Sequence, residues 1–340
     1  MSRPPDPEAL AEAVLAGDRR ALARAITLVE STRPDHRAAA ARLMQRVARA
    51  GRTALRIGLS GTPGVGKSSF IEALGGHLTV QGLRVAVLAV DPSSERSGGS
   101  ILGDKARMPK LARDPRAFIR PSPAGGSLGG VARRTREAVG LVEAAGFDLV
   151  LVETVGVGQS ETMVARMTDL FVLLLAPGGG DELQGVKRGI MEIADIVLIN
   201  KADGDLRAAA QRTAADYRAA LQLLRRRDGD PEGYPMVMTV SALSGEGIAE
   251  AWAAMRRLAD WRRDAGILTA RRRAQAAAAL EEAVAALLNA RFHDHPAVRA
   301  ALPGLSAEVA EGRLAPEAAA ERLVALFAGP AGLDAEPPRG

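Results

Sequence analysis

The chain has 340 residues, with 45 basic against 40 acidic side chains, a net charge of +5, only 3% aromatic residues and no cysteine. Its length accommodates one α/β domain of about 200 residues with helical additions. The lack of cysteine excludes disulfides, thiolate metal sites and cysteine nucleophiles. Sparse aromatics and interspersed acids argue against a nucleic-acid surface. No apolar run reaches about 18 residues, and Met1-Ser2-Arg3-Pro4-Pro5-Asp6 lacks signal-peptide character, so a cytoplasmic protein with no membrane partner is expected.

Residues 1–50 read as a helical extension. Leu10 and Val14 share one face; Leu22, Ile26 and Val29 follow an Asp18 cap; Leu43, Met44 and Val47 form a third stripe. From residue 51 to about 260, some seven strand candidates alternate with helices, the pattern of a doubly wound, mostly parallel sheet.

Ala54–Leu59 reads as a buried strand leading into Gly61-Thr62-Pro63-Gly64-Val65-Gly66-Lys67-Ser68, with Ser69 beside it and a helix running to Leu78. This is the full G-x-x-x-x-G-K-[ST] phosphate loop. Glycines let the backbone curl so that its N–H groups point inward, and the helix N-terminus faces the anion. Lys67 is expected to reach the β- and γ-phosphates, and the Ser68 hydroxyl to ligate Mg²⁺. Among the 45 basic residues only Lys67, Lys105, Lys110, Lys187 and Lys201 are lysine, so two of these rare residues fall in nucleotide motifs.

Strand Val85–Val90 delivers Asp91 to the carboxyl edge, where ligands of open sheets bind. Asp91 is a candidate metal or water-positioning carboxylate, or simply a cap for Asp91-Pro92-Ser93-Ser94. The glycine-rich loop Ser97–Lys105 suits a mobile switch. Strand Leu149–Val152 ends in Glu153-Thr154-Val155-Gly156; Gly156 can offer its N–H to a γ-phosphate, and Glu153 can hold Mg²⁺ through water. After strand Leu170–Leu175, Pro177–Lys187 reads as either a hinge or a plain solvated loop.

Strand Asp195–Ile199 leads into Asn200-Lys201-Ala202-Asp203, and strand Met236–Val240 into Ser241-Ala242-Leu243. A carboxylate at Asp203 can accept from both N1–H and the N2 amino group of guanine; adenine would leave it desolvated and unpaired. Lys201 would lie along the base, Asn200 would tie loops together, and a backbone N–H of the Ser-Ala-Leu loop would meet O6. Beyond Trp261 the chain is alanine- and arginine-rich. Leu280, Val284, Leu287 and Leu288 make a helical stripe, and another helix is expected from Pro316 to Phe327. Residues 261–329 read as a dimerisation arm or as helices folded back on the main domain, and 330–340 as a disordered tail.

Taken together, Gly61–Ser68, Val90–Ser94, Gly99–Lys105, Arg107-Met108, Glu153–Glu161 and Asn200–Asp203 resemble the MeaB/ArgK family, whose mitochondrial relative is called MMAA. The likeness runs from about Ala9 to Phe327. The resemblance implies a P-loop NTPase of the SIMIBI class that uses GTP and Mg²⁺. It implies a homodimeric metallochaperone, gating adenosylcobalamin delivery to a client acyl-CoA mutase, methylmalonyl-CoA mutase foremost, and protecting or reactivating it; the cobalamin belongs to the client. By motif match Asp91 and Asp104 fall in switch I, Glu153 and Gln159 in switch II, and Asp181, Glu182, Gln184 and Lys187 in a third switch. Lys67, Asp91, Glu153 and Lys187 are then the candidate catalytic residues, and Ser68, Asp91, Asp104 and Glu153 the candidate metal group. Ala106 stands where the family pattern has threonine. Hydrolysis should be slow without a partner, since no arginine finger can be placed. The alternatives are a chaperone for another metalloenzyme, which the scattered His36, His77, His293 and His295 do not favour, and the kinase or transport ATPase attached to the ArgK name, which Asp203 argues against.

Overall fold

The computed structural model describes residues 5–90, 107–122, 128–154, 160–178, 188–223 and 229–329. Asp91, Asp104, Ala106, Gly156, Gln159, Asp181, Glu182, Gln184, Lys187 and the tail from 330 lie outside them. The chain clusters into two compact units that divide between Gln275 and Ala276.

The first unit opens with three helices, α1 (Pro7–Leu15), α2 (Arg19–Glu30) and α3 (Pro34–Ala48). Asp18 caps α2, accepting from the N–H groups of Arg20 (2.7 Å) and Ala21 (3.1 Å). Those bonds, Ala21's first, hold its carboxyl below the ordinary aspartate pKa. Leu10, Val14, Leu22, Ile26, Val29, Leu43 and Val47 are all buried. Their stripes pack α2 and α3 on a helix of the main sheet, α6 (Leu128–Ala144), so these helices add a layer rather than a separate body.

The sheet has seven strands: β1 (Leu55–Ser60), β2 (Val85–Val90), β3 (Ala117–Ser122), β4 (Leu149–Thr154), β5 (Leu170–Leu175), β6 (Ile196–Ile199) and β7 (Met236–Thr239). Their spatial order is β3-β2-β4-β1-β5-β6-β7, and every pairing is parallel. β2, β4, β5 and β6 are buried at every position, as strands covered on both faces must be. The remaining helices of this unit are α4 (Lys67–Val80), α5 (Pro109–Arg113), α7 (Ser160–Ala165), α8 (Arg188–Ile193), α9 (Arg207–Gln222), α10 (Ile248–Asp264) and the first turns of α11 (Ile267–Asp294). Strand β3 has no counterpart among the named sequence candidates. It carries Arg120 and Pro121, and proline is tolerated there because β3 is an edge strand.

At the amino edge of the sheet, Arg262 of α10 is fully buried between Asp195 and Asp230, each at 2.7 Å. Asp195 also accepts from Phe171 N–H at 2.7 Å. A second pair, Arg56 with Glu143 at 2.7 Å, ties β1 to the end of α6.

The second unit contains α12 (Pro296–Ala310) and α13 (Pro316–Ala328), which pack on each other. Phe327 meets Phe292 and His295 edge-on, with ring centres 5.5 and 5.6 Å apart. Leu280, Val284, Leu287 and Leu288 are exposed. No helix among the described residues is long and apolar enough to cross a membrane.

Candidate functional site

Parallel strands put β1, β4 and β6 with their carboxyl ends on one edge, and the motif residues begin there. The phosphate loop leaves β1 at Ser60. Gly61 approaches β5 so closely that a Cβ on it would lie 2.2 Å from the Leu174 carbonyl oxygen, a backbone atom that cannot swing aside. Gly66 is left-handed (φ 87°, ψ 33°) and caps α4; a Cβ there would meet the Asn200 amide at 2.7 Å. The loop is therefore a cradle whose wall positions admit only glycine.

Lys67 opens α4, and its ammonium donates to Gly61 O at 2.6 Å and Thr62 O at 3.3 Å. Burial lowers its pKa from the ordinary lysine value; the Glu153 carboxylate opposes this, the Arg107 charge adds to it, and Glu161 opposes it again. Ser68 Oγ donates to Glu153 Oε1 at 3.4 Å, which brings a hydroxyl and a buried carboxylate together at the loop. This pair is all oxygen, the donor chemistry that suits Mg²⁺. Thr62, Pro63 and Gly64 face solvent or are half-buried, Val65 is buried beneath the loop, and Ser69 points outward.

Asn200 is buried at the end of β6 and joins three segments. Its Nδ2 donates to Val65 O at 2.8 Å and reaches Gly66 O at 3.4 Å, while Oδ1 accepts from Ala242 N–H at 3.1 Å. Lys201 has φ 59°, a left-handed conformation in a non-glycine residue, and Ala202 N–H bonds to Val240 O at 3.0 Å. Asp203 accepts from Ser241 Oγ at 2.8 Å. Ser241 is itself buried and its hydroxyl accepts from Ser244 N–H at 3.1 Å. Ala242 N–H is thus engaged by Asn200, whereas Leu243 N–H has no acceptor among the described residues and the Leu243 side chain is exposed.

Three residues lie in the motif runs of the sequence but were given no contact of their own there. Thr154 Oγ1 donates to Ser60 Oγ at 3.0 Å, both side chains fully buried, which fastens the end of β4 to the start of the phosphate loop. Glu161, in the first turn of α7, is fully buried and its charge acts on Lys67. Arg107 follows the glycine-rich loop, and Lys110 N–H beyond it is held by Glu72 of α4 at 2.8 Å. Glu161 ends the Glu153–Glu161 run of the family resemblance, and apart from that its signal is the ordinary one of an acid in the first turn of a helix.

A parallel sheet with a glycine cradle at a helix N-terminus and a lysine at its first position defines a P-loop nucleoside triphosphatase. Comparison with known proteins narrows the class. A family model described as methylmalonyl-CoA mutase-associated GTPase MeaB matches residues 22–297. A putative GTPase of Caulobacter vibrioides is 53% identical over 322 residues, 95% of this chain and 98% of its own length. The mitochondrial methylmalonic aciduria type A homolog of Mus musculus is 50% identical over 321 residues, 92% of this chain and 77% of its own. A crystal structure described as a LAO/AO transport system kinase superposes with a TM-score of 0.72 at 36% identity, covering 95% of this chain and 98% of that one. The chain belongs to the MeaB family of GTPases associated by name with methylmalonyl-CoA mutase.

Proposed function

We propose that this chain binds GTP with Mg²⁺ at the Gly61–Ser69 loop, reads guanine with Asp203, and hydrolyses GTP slowly until a cobalamin-dependent acyl-CoA mutase stimulates it. In this reading the cycle gates adenosylcobalamin loading of the mutase and protects or reactivates it, methylmalonyl-CoA mutase being the client its family name suggests. The observation that carries the reading is Asn200, whose single side chain holds the phosphate loop and the Ser-Ala-Leu loop together, with Asp203 oriented beside them.

Loop N–H groups and the α4 N-terminus would bind the phosphates. Lys67 would leave the carbonyls of Gly61 and Thr62 for the β- and γ-phosphate oxygens, where its positive charge offsets theirs. Ser68 would hold Mg²⁺ directly and Glu153 through water, with Asp91 and Asp104 as further candidates. The ion would supply charge neutralisation of the phosphates. Gln159, Asp181, Glu182, Gln184 and Lys187 keep the switch roles that the family resemblance assigns, and Gly156 would offer its N–H to the γ-phosphate. Asp203 Oδ1 has a second lone pair beyond the Ser241 bond, so both carboxylate oxygens remain open to guanine, and a backbone N–H of the Ser241-Ala242-Leu243 loop would meet O6.

The exposed Leu280, Val284, Leu287 and Leu288, spaced at i, i+4, i+7 and i+8, support a homodimerisation arm over residues 261–329. The test is a GTPase assay with and without holo methylmalonyl-CoA mutase. Turnover should rise by at least about tenfold. Unchanged turnover together with no co-elution would remove that mutase as the partner.

A further inference from the structure

Helix α7 starts directly after residues 155–159, and Glu161 in its first turn acts electrostatically on Lys67. The last carbonyls of any helix lack partners within it. Here the last of them, Ala165 O, is met from outside, and so is a carbonyl just beyond the helix. Ala165 O accepts from Arg271 Nη2 at 3.1 Å, and Thr168 O, one turn on, accepts from Gln275 Nε2 at 2.9 Å. Arg271 and Gln275 are four residues apart and so project from one face of α11.

Two further contacts define what is fixed and what can move. Between those donors, Arg272 grips Asp169 through both carboxylate oxygens (2.8 and 2.5 Å) and reaches Ala54 O at 2.6 Å. Its partners lie at the amino ends of β5 and β1, so Arg272 is a pivot anchored to the sheet. On its other side α7 presses on β1 at Gly58, where a Cβ would lie 2.7 Å from Val164 Cγ1 and 3.0 Å from Thr168 Oγ1. The helix is held between β1 and α11, with its first turn facing the phosphate loop.

We propose that Arg271 and Gln275 are positioning residues that couple α7, whose Glu161 acts on Lys67, to the first turns of helix α11. This rests on the reading of the site as a GTP switch. A shift of α7 by about 1–2 Å, usual for such switches, would stretch the Ala165–Arg271 bond past hydrogen-bonding range and load the Thr168–Gln275 bond, while leaving Arg272 on Asp169. Nucleotide state and the position of α11 would then bias each other, since coupling between sites is reciprocal. Anything that engages α11 would gain influence over turnover at the phosphate site.

Hydrogen–deuterium exchange on the full chain, with GDP or a non-hydrolysable GTP analogue, tests this in the wild type and in the Arg271→Ala/Gln275→Ala variant. The wild type should show nucleotide-linked changes in protection at both 160–168 and 267–275. In the variant the change at 160–168 should persist, and that at 267–275 should fall at least about fivefold, with kcat altered and KM for GTP within about twofold. Gln275→Ala alone serves if the double variant does not fold, and Arg271→Lys should restore part of the coupling. A wild-type 267–275 segment indifferent to nucleotide, or a variant that keeps the full linkage, would overturn the proposal. A fluorescent-GDP titration of the same samples separates this from failure of the GTPase reading, which would show as no binding at all.

Discussion

Replacing Asn200 by alanine probes the joint between the two nucleotide loops most directly. The side chain is buried and serves three backbone groups, Val65 O, Gly66 O and Ala242 N–H, at 2.8, 3.4 and 3.1 Å. The 3.4 Å contact shares a donor with the 2.8 Å one and adds little. Alanine therefore strands one buried acceptor and one half-buried donor. Each costs about 1–3 kcal/mol, the upper end applying to Val65 O, whose residue is fully buried. The expected loss is about 2–4 kcal/mol in urea unfolding, several degrees in melting temperature. It should come with weakened GDP binding, because the loops are no longer held in register. Asn200→Asp should do as badly, since it keeps the acceptor for Ala242 but turns an anion toward two carbonyls and the phosphate site. Urea denaturation and a fluorescent-GDP titration measure both effects. An Asn200→Ala protein within about 0.5 kcal/mol of wild type, with unchanged GDP affinity, would refute the claim that this amide organises the site.

Asp203→Asn should move nucleotide preference from guanosine toward xanthosine triphosphate, measured by competitive titration; unchanged GTP affinity would refute base reading by this carboxylate. Lys67→Ala should abolish GTP turnover, and retained activity would put the chemistry elsewhere. Gly61→Ala drives a Cβ to 2.2 Å from Leu174 O and should weaken GDP binding sharply; a variant that binds GDP normally would show that the loop can retreat from β5. Arg262→Met leaves the buried Asp195 uncompensated and should cost about 3–5 kcal/mol at neutral pH. In the wild type the paired guanidinium stays charged throughout, its pKa raised by both aspartates against the desolvation that lowers it. In the variant, burial disfavours the charged form of a carboxylate left without its guanidinium, so the loss should be greatest at neutral pH and shrink as pH falls. Denaturation at several pH values checks the sign.

The sequence made the chemistry legible where function needs a residue type at a fixed spacing. Glycines in the phosphate loop and the run Asn200–Asp203 declare themselves because few other residues can do their work. Strand β3 did not, since Arg120 and Pro121 interrupt its apolar run, and only its edge position makes them acceptable. Helix α12 has no named counterpart in the sequence, and Pro303 and Gly304 inside it weaken its helical signal. The arginine anchors were invisible for a different reason. Arg262 and Arg272 meet Asp195 and Asp169 across 67 and 103 residues of chain, in a protein where arginine is everywhere. No local pattern distinguishes a buried arginine from a solvated one until the topology is known.

That topology also explains why one close approach and one amide suffice to build the site. The phosphate loop leaves β1, but the Asn200–Asp203 run leaves β6, and β5 stands between them. The loop must lean across β5 to meet Asn200 at the end of β6, and Gly61 against the Leu174 carbonyl is the point where it does so. A side chain there would hold the loop off β5 and move Val65 O away from Asn200. Gly61 and Asn200 are thus two halves of one device. It follows that Gly61→Ala and Asn200→Ala should be strongly non-additive, the double variant costing clearly less than the sum of the singles, because either change alone already parts the loop from β6. A double-mutant cycle on GDP affinity that came out additive would mean the two contacts act separately.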